Sequence, residues 1–175
     1  SKDGTAKYLF PSLCGWPVES VVIPDGERTT ICVSSQAGCK MGCRFCMTGR
    51  MGFRGNLTAG EIISQIINVK ESESITHAVF MGMGEPLDNL SEVLSAMEVL
   101  TSDRGFGWSP KRVTLSTIGV FPALREFMER SRCHLAISMH NPFDSERIEL
   151  MPVQKAWPLS RTLDLIREYD FTGQR

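Results

Sequence analysis

Three cysteines in one short segment, Cys39, Cys43 and Cys46, are the residues of this chain whose types and spacing most directly imply chemistry. Their C-x3-C-x2-C spacing lets three thiolates from one loop hold an iron-sulfur cluster, because such clusters are bound by cysteine thiolates. A cluster usually takes a fourth cysteine, but this segment contains no fourth one. The segment therefore predicts a cluster with one iron left open for another ligand.

Zinc and disulfides are the alternative uses for these thiols. A structural zinc site normally has four closed ligands, often in paired C-x2-C motifs. The other candidate ligands are scattered singly along the chain: Cys14, Cys32, His77, Cys133 and His134. Six cysteines in 175 residues is a low density for a small secreted disulfide scaffold, and the sequence does not open with a signal-peptide pattern. We expect reduced thiols and a cytoplasmic protein.

Composition indicates a globular chain whose positive charge is local. The apolar fraction is 42% and the net charge is -1, and no run of about 18 apolar residues predicts a membrane span. Between residues 39 and 54 the chain carries Lys40, Arg44, Arg50 and Arg54 and no acid. This basic segment could contact RNA phosphates. Alternatively it balances the charge of a thiolate-bound cluster or is a solvated loop.

Alternating strand and helix patterns predict an α/β fold. The predicted strands are apolar or β-branched runs at 30–34, 76–81, 112–116 and 134–138. Helices are predicted after the capping-box pair Thr58 and Glu61, with Ile62, Ile63, Ile66 and Ile67 on one face, from near Asn89, and at 123–129, 145–150 and 160–169. Four β-α units in series favour a parallel sheet. In β/α barrels the working face is the carboxyl end of the strands.

The informative segments all fall at predicted strand ends. They are the cysteine loop, the turn at 82–86, Ser116, and residues 138–140. Each has an ordinary structural alternative, because glycine and proline favour turns and strand-end serines are common hydrogen-bonding groups. Their convergence at one edge nevertheless predicts one site there.

Taken together, several segments resemble the radical S-adenosylmethionine (SAM) adenine-C2 RNA methyltransferases. The matching segments occur in the same order at similar spacing, from about residue 19 to residue 153: 19–24, 32–39, 49–57, 81–87, 113–117 and 135–140. The resemblance implies a partial (β/α) barrel of the radical SAM type. Such barrels usually have six β-α units, so the expected division is an amino-terminal lead-in at 1–24 and an incomplete barrel domain at 25–175.

The resemblance also implies cofactors and roles for individual residues. Cys39, Cys43 and Cys46 match the ligands of a [4Fe-4S] cluster. The positions matching SAM contacts are Gly84, Glu85, Ser116, Ser138, Met139 and His140. Glu19 matches a proton acceptor, and Cys32 matches a thiol that helps to resolve a covalent enzyme-RNA adduct. The alternatives are a surface carboxylate for Glu19 and a buried strand cysteine for Cys32.

The implied reaction is methylation of adenine carbon 2 in rRNA, tRNA or both, with an electron donor such as flavodoxin or ferredoxin and no membrane partner. In the family a cysteine near the carboxyl end carries the methyl group, and this sequence has no cysteine after Cys133. We therefore expect the chain by itself to methylate RNA poorly or not at all. Methylation of adenine carbon 8, another radical SAM reaction on a non-RNA substrate, and a non-catalytic cluster-binding module remain alternatives.

Overall fold

The computed structural model describes residues 1–172 of the chain. Its strands are β1 (Ala6–Phe10), β2 (Val18–Asp25), β3 (Arg28–Cys32), β4 (Gln36–Ala37), β5 (Gly55–Asn56), β6 (His77–Phe80), β7 (Val113–Thr117) and β8 (His134–Ile137). Its α-helices are α1 (Met47–Arg50), α2 (Ala59–Ile67), α3 (Leu90–Thr101), α4 (Ala123–Arg130), α5 (Asp144–Leu150) and α6 (Leu159–Glu168). Short 3-10 helices form at Ser72–Ser74, Pro86–Asn89, Pro110–Arg112 and Pro152–Lys155.

One six-stranded sheet organises these elements, in the order β1-β2-β3-β6-β7-β8. Strands β3, β6, β7 and β8 are parallel to one another, and each connection between them contains a helix, as parallel strands require. The four predicted β-α units and the parallel core are therefore confirmed. β8 lies at one end of the sheet.

The amino-terminal part of the sheet was not predicted from the sequence. β1 and β2 pair antiparallel, and β2 pairs antiparallel with β3, so that Val21 lies opposite Cys32. The turn between β2 and β3 contains Gly26 with φ of 57°, a conformation that glycine adopts without the steric cost of a side chain. These strands extend the sheet through the segment treated as a lead-in, while the domain division at residue 24 stays a prediction.

The two faces of the sheet differ in burial because side chains alternate along each strand. The face toward the helices carries Ile31, Ala78, Phe80, Val113 and Leu115, all at most 1% exposed. The opposite face, which includes Cys32 and Ser116, is only partly buried. The main apolar core therefore lies between the sheet and its helices, and the other face stays accessible.

Helix α2 shows how the local sequence sets an element. The Thr58 hydroxyl accepts from the Glu61 amide, and the Glu61 carboxylate accepts from the Thr58 amide, so the predicted capping box is present. The helix buries Ile62 and Ile66. The predicted isoleucine face is buried only in part, since Ile67, the last residue of the helix, is 53% exposed.

Strand ends differ from the sequence expectation by a few residues. β3 ends at Cys32 instead of residue 34, because the Ser34 amide donates to the Gln65 side chain at 2.8 Å and so leaves the strand ladder.

Among the described residues, the longest helix is α3, and none of the helices is long and apolar enough to cross a bilayer.

Replacing Ile66 with alanine should destabilise the chain strongly, whereas Ile67→Ala should not. Ile66 is fully buried, and removing its side chain leaves a cavity that costs about 2–5 kcal/mol. Ile67 is the matched control on the same helix, with an expected change within about 0.5 kcal/mol. Urea unfolding followed by circular dichroism measures both variants. Equal shifts of the two unfolding midpoints would contradict the burial pattern.

Candidate functional site

A cavity of about 280 Å³ opens at the carboxyl ends of the parallel strands. Its lining combines the cysteine loop with residues that follow β6, β7 and β8. The predicted site residues that line it are Cys39, Cys43, Cys46, Gly84, Glu85, Ser116, Ser138 and His140. The structure therefore brings together residues that lie up to about a hundred positions apart in the sequence.

Backbone contacts join the two ends of the cysteine loop and attach the loop to α5. β4 and β5 pair antiparallel on either side of it, and the Arg44 amide donates to the Leu150 carbonyl at 2.9 Å. Gly38 has φ of 72°, and a Cβ there would lie 1.8 Å from the Gly52 carbonyl oxygen. Glycine is therefore required at Gly38 for the two ends of the loop to approach, which holds the thiols on one wall of the cavity.

Burial makes the Cys39 and Cys43 thiols poor acids in the protein alone. It raises the pKa of Cys39 to about 11 and also raises the pKa of Cys43, with the nearby Cys46 thiol adding to the effect on Cys43. Binding to a metal deprotonates a thiol despite such burial. Within residues 1–172, no three His, Cys, Asp or Glu side chains are arranged to hold one metal ion.

The donor set nevertheless fits a thiolate-bound cluster. Three thiols from one loop line the same cavity, and in a cluster each thiolate binds a different iron, so the sulfurs need not converge on a single point. The neighbouring Gly84, Ser116 and Ser138 leave room for a ligand beside them. Residues able to hold a cluster and a second ligand are thus adjacent.

The turn after β6 is packed so tightly that it needs glycine. Gly84 has φ of 99°, and a Cβ on it would lie 2.6 Å from the Gln36 Cβ. The Gln36 side-chain oxygen accepts from the Glu85 amide at 2.9 Å. The turn is therefore held against the strand that leads into the cysteine loop.

Glu85 is a buried carboxylate that connects two strand ends. It is 4% exposed and accepts from the Thr117 hydroxyl at 2.5 Å, the Leu87 amide at 3.1 Å and the Ile118 amide at 3.2 Å. Burial raises the pKa of Glu85 to about 7, although these hydrogen bonds act in the opposite direction. The carboxylate thus fixes the end of β7 beside the turn after β6, and its role as a SAM contact stays a prediction.

The residues after β7 and β8 form the opposite wall. The hydroxyls of Ser116 and Ser138 lie 3.2 Å apart. His140 has φ of 57°, unusual for a residue with a side chain, and its ring centroid lies 4.4 Å from that of Phe45 in the cysteine loop. Met139 is 39% exposed and does not line the cavity.

Glu19 and Cys32 lie beside the cavity without lining it. Since Val21 pairs with Cys32 and Glu19 lies two residues before Val21, both side chains project from the partly buried face of the sheet. The Glu19 Oε1 atom accepts from the Lys7 ammonium at 2.7 Å, a contact that the sequence did not predict. Burial raises the pKa of Cys32.

Much of the basic segment is engaged within the chain. Lys40 pairs with Asp88 at 2.8 Å, and Arg50 donates to the Arg44 carbonyl. The Arg54 guanidinium lies 4.3 Å from the centre of the Trp16 ring, which is 45% exposed. The ion pair with Asp88 neutralises Lys40, so the segment carries less free positive charge than its sequence indicates. Arg54 and Trp16 together form a cationic and aromatic surface.

A buried arginine was missed by sequence reasoning. Arg147 in α5 is fully buried and donates to the carbonyls of Ile118, Ser138 and Met139. Acidic residues surround it in the sequence, as they would on a solvated helix face. The local pattern therefore gives no signal that this side chain points inward, under the strand ends that form the site.

The fold and the cavity define a class of protein: a partial β/α barrel whose strand ends surround a cysteine triplet. A family model described as Radical SAM superfamily matches residues 33–173. The chain belongs to the radical SAM superfamily. A radical SAM methyltransferase from Sphaerobacter thermophilus superposes with a TM-score of 0.91 at 36% identity, covering 97% of this chain and 52% of that one, which confirms the predicted fold class.

Curated relatives match the whole chain at higher identity. It is 57% identical to a protein of Parabacteroides distasonis and 59% identical to one of Porphyromonas gingivalis, both named probable dual-specificity RNA methyltransferase RlmN. A dual-specificity RNA methyltransferase RlmN of Syntrophobacter fumaroxidans is 47% identical over 95% of this chain. The chain spans about half the length of these relatives.

Neutralising Glu85 should change how the stability of the cofactor-free chain depends on pH. Its folded pKa is about 7, above the ordinary value, so the folded state keeps a proton that the unfolded state releases. The contribution is fully present below about pH 4.5 and is lost as pH rises through 7, by about 3 kcal/mol in total. Glu85→Gln should remove this loss.

Urea unfolding at several pH values between about 5 and 8 measures the effect. Exposed Glu168→Gln on α6 is the control, and it should keep the slope of the unchanged chain. If Glu85→Gln kept that slope too, Glu85 would not be the group responsible.

Proposed function

We propose that this chain is the cofactor-binding part of a radical SAM RNA methyltransferase that acts on carbon 2 of an adenine in rRNA, tRNA or both. One observation carries the proposal. The cysteine triplet lines the same cavity as Gly84, Ser116 and Ser138, in a chain whose relatives at 57% and 59% identity are named RNA methyltransferases.

The cavity divides into two neighbouring binding regions. Cys39, Cys43 and Cys46, on the wall formed by the loop, would hold a [4Fe-4S] cluster. The residues of the other wall that would hold SAM are Gly84, Glu85, Ser116, Ser138 and His140. Met139, a further predicted SAM contact, does not line the cavity. When bound and reduced by a donor such as flavodoxin or ferredoxin, the cluster supplies the electron that cleaves SAM.

The residues of the chain provide position and exclusion of water. Gly84 lets backbone approach the ligand closely because it has no side chain, and the Ser116 and Ser138 hydroxyls offer a polar pair 3.2 Å apart. Phe45 and His140, in ring contact, connect the loop to the end of β8. The ligand is thereby held between two walls that contact each other.

Glu19 and Cys32 act on the face next to the cavity. Glu19 accepts a proton at Oε2, because Oε1 is bound to Lys7 and Oε2 has no hydrogen-bond partner among residues 1–172. Cys32 supplies the thiol that helps to release the methylated base. Because burial raises its pKa, the Cys32 thiol stays protonated and unreactive in the chain alone, since the thiolate is the reactive form.

Radical chemistry suits this substrate for an electronic reason. Carbon 2 of adenine is electrophilic and has no acidic hydrogen for a base to remove, so polar transfer of a methyl cation does not occur there.

The thiol in the second half of the chain, Cys133, is 4% exposed just before β8, away from the cavity lining. We therefore expect this chain alone to bind its cofactors but to methylate RNA poorly or not at all.

Anaerobic reconstitution with iron and sulfide tests the cluster. Cys39→Ala, Cys43→Ala and Cys46→Ala should each prevent normal cluster binding, because each removes one of three ligands. Cys133→Ala and Cys14→Ala are the matched controls and should bind iron and sulfide as the unchanged chain does. Electron paramagnetic resonance of the reduced cluster should change on addition of SAM.

Several outcomes would contradict parts of the proposal. Stoichiometric zinc without iron, or normal iron content after loss of one of the three cysteines, would exclude the cluster. A spectrum indifferent to SAM would indicate a cluster-binding module. In a protein of the relatives' length, SAM cleavage that does not depend on RNA would indicate a different radical SAM reaction, and product analysis distinguishes carbon 2 from carbon 8.

Arg54 beside Trp16 should contribute to RNA binding. Arg54→Gln should weaken binding of a tRNA or rRNA fragment similarly across sequences and reduce the slope of log affinity against log salt by about 1, as expected for one phosphate contact. Arg167→Gln on exposed α6 is the control. Fluorescence anisotropy across a salt series measures both, and equal slopes for the two variants would exclude an Arg54 contact.

A further inference from the structure

Arg147 occupies an environment made of neutral acceptors. It is 0% exposed, and its guanidinium donates to the carbonyls of Met139 at 3.1 Å, Ser138 at 3.2 Å and Ile118 at 3.2 Å. A fourth bond goes to the side-chain oxygen of Gln154. These four contacts give each nitrogen of the guanidinium at least one acceptor but bring no negative charge.

A buried charge usually has an oppositely charged partner. Among the ion pairs of residues 1–172, none includes Arg147. Burial lowers the pKa of Arg147, and the negative charges of Asp144 and of a Cys43 thiolate act in the opposite direction. An arginine stays protonated even so. The chain thus keeps a positive charge in its interior with no direct counter-ion among the side chains of residues 1–172.

The position of this charge relates it to the cysteine triplet. The Ile118 carbonyl accepts from Arg147, and Ile118 packs in one apolar cluster with Cys43 and Met151. The helix that carries Arg147 is also joined to the cysteine loop, since the Leu150 carbonyl accepts from the Arg44 amide. Met151, which follows Leu150, lines the cavity. The guanidinium therefore lies behind the wall formed at the ends of β7 and β8, close to the point where this wall contacts the cysteine loop at Cys43.

We propose that Arg147 is a positioning residue that supplies the buried counter-charge for a thiolate-bound cluster and fixes the strand ends after β7 and β8. This inference rests on the proposed function, because it requires the three cysteines to hold a cluster. Three thiolates give such a cluster a net negative charge, and reduction increases it. A fixed positive charge nearby stabilises both states, and it stabilises the reduced state more because that state carries more negative charge. Water screens this interaction little at a buried position.

The two tasks of Arg147 can be separated by substitution. Arg147→Lys keeps the charge but loses the planar arrangement of donors that reaches several carbonyls at once. Arg147→Met keeps similar length and burial without the charge. Arg167 on α6 is exposed and does not line the cavity. Arg167→Met therefore removes a charge elsewhere and serves as the control. The cluster potential follows the charge, whereas a purely structural clamp depends on the donors.

The decisive experiment reconstitutes each variant anaerobically and measures iron and sulfide content, the midpoint potential of the cluster, and urea unfolding without the cluster. Arg147→Met should make reduction about tenfold less favourable, a decrease of about 59 mV for one electron. Arg147→Lys and Arg167→Met should both stay close to the potential of the unchanged chain.

Other outcomes have definite meanings. If Arg147→Met binds a cluster at an unchanged potential, or if Arg147→Lys lowers the potential as much as Arg147→Met, the counter-charge is excluded. If Arg147→Met does not fold without the cluster, Arg147→Gln takes its place in the comparison, and failure of both while Arg147→Lys folds would assign a purely structural role. Failure of the unchanged chain to bind iron and sulfide would overturn the proposed function itself.

Discussion

The close approach of Gln36 to Gly84 is the constraint on which the site depends. The buried Gln36 side chain accepts from the Glu85 amide and donates to Asn56 at 2.9 Å and to Asp88 at 2.7 Å. One amide group therefore connects both ends of the cysteine loop to the turn after β6. Because a Cβ at Gly84 would collide with Gln36, this connection forms only with glycine there. Without it, the cysteine loop would lose its side-chain connection to the turn after β6.

Two buried ionisable side chains near the cavity follow the same principle. Glu85 accepts from groups on the β6 and β7 ends, and Arg147 donates to carbonyls at the β7 and β8 ends. Neither has a salt bridge among residues 1–172. Both charges are satisfied by backbone and hydroxyl dipoles instead. Hydrogen bonds to charged groups are stronger than neutral ones, so these two side chains fix the strand ends without neutralising each other.

The sequence predicted the parts of the fold that local patterns specify. Apolar β-branched runs at β3, β6, β7 and β8 read as buried parallel strands because helices cover them. The hairpin of β2 and β3 was missed, although Asp25-Gly26 followed by Arg28–Cys32 carries a turn signal that could have revealed it. The exposure of Ile67 could not be predicted from the four-isoleucine pattern, because it depends on what packs against the end of the helix.

The candidate site was predictable to the extent that its residues follow strand ends. Cysteine spacing and strand-end position were enough to predict that one site includes the following residues, which line one cavity: Cys39, Cys43, Cys46, Ser116 and Ser138. The tertiary contacts that tune the site were not predictable, since they join residues far apart in the chain. The ion pair of Lys7 with Glu19 requires the register of β1 on β2, and the burial of Arg147 requires α5 to fold under β7 and β8.

The position of Glu19 and Cys32 follows from how the sheet is covered. Helices pack on one face and bury it almost completely, so the partly buried opposite face is where a large substrate can approach the carboxyl ends of the strands. Glu19 pairs with Leu9 on β1, and Cys32 lies at the end of β3. Both therefore stand where that face meets the cavity. Under the proposed function, an RNA base presented from this face would meet the Glu19 carboxylate and the Cys32 thiol without displacing any part of the apolar core.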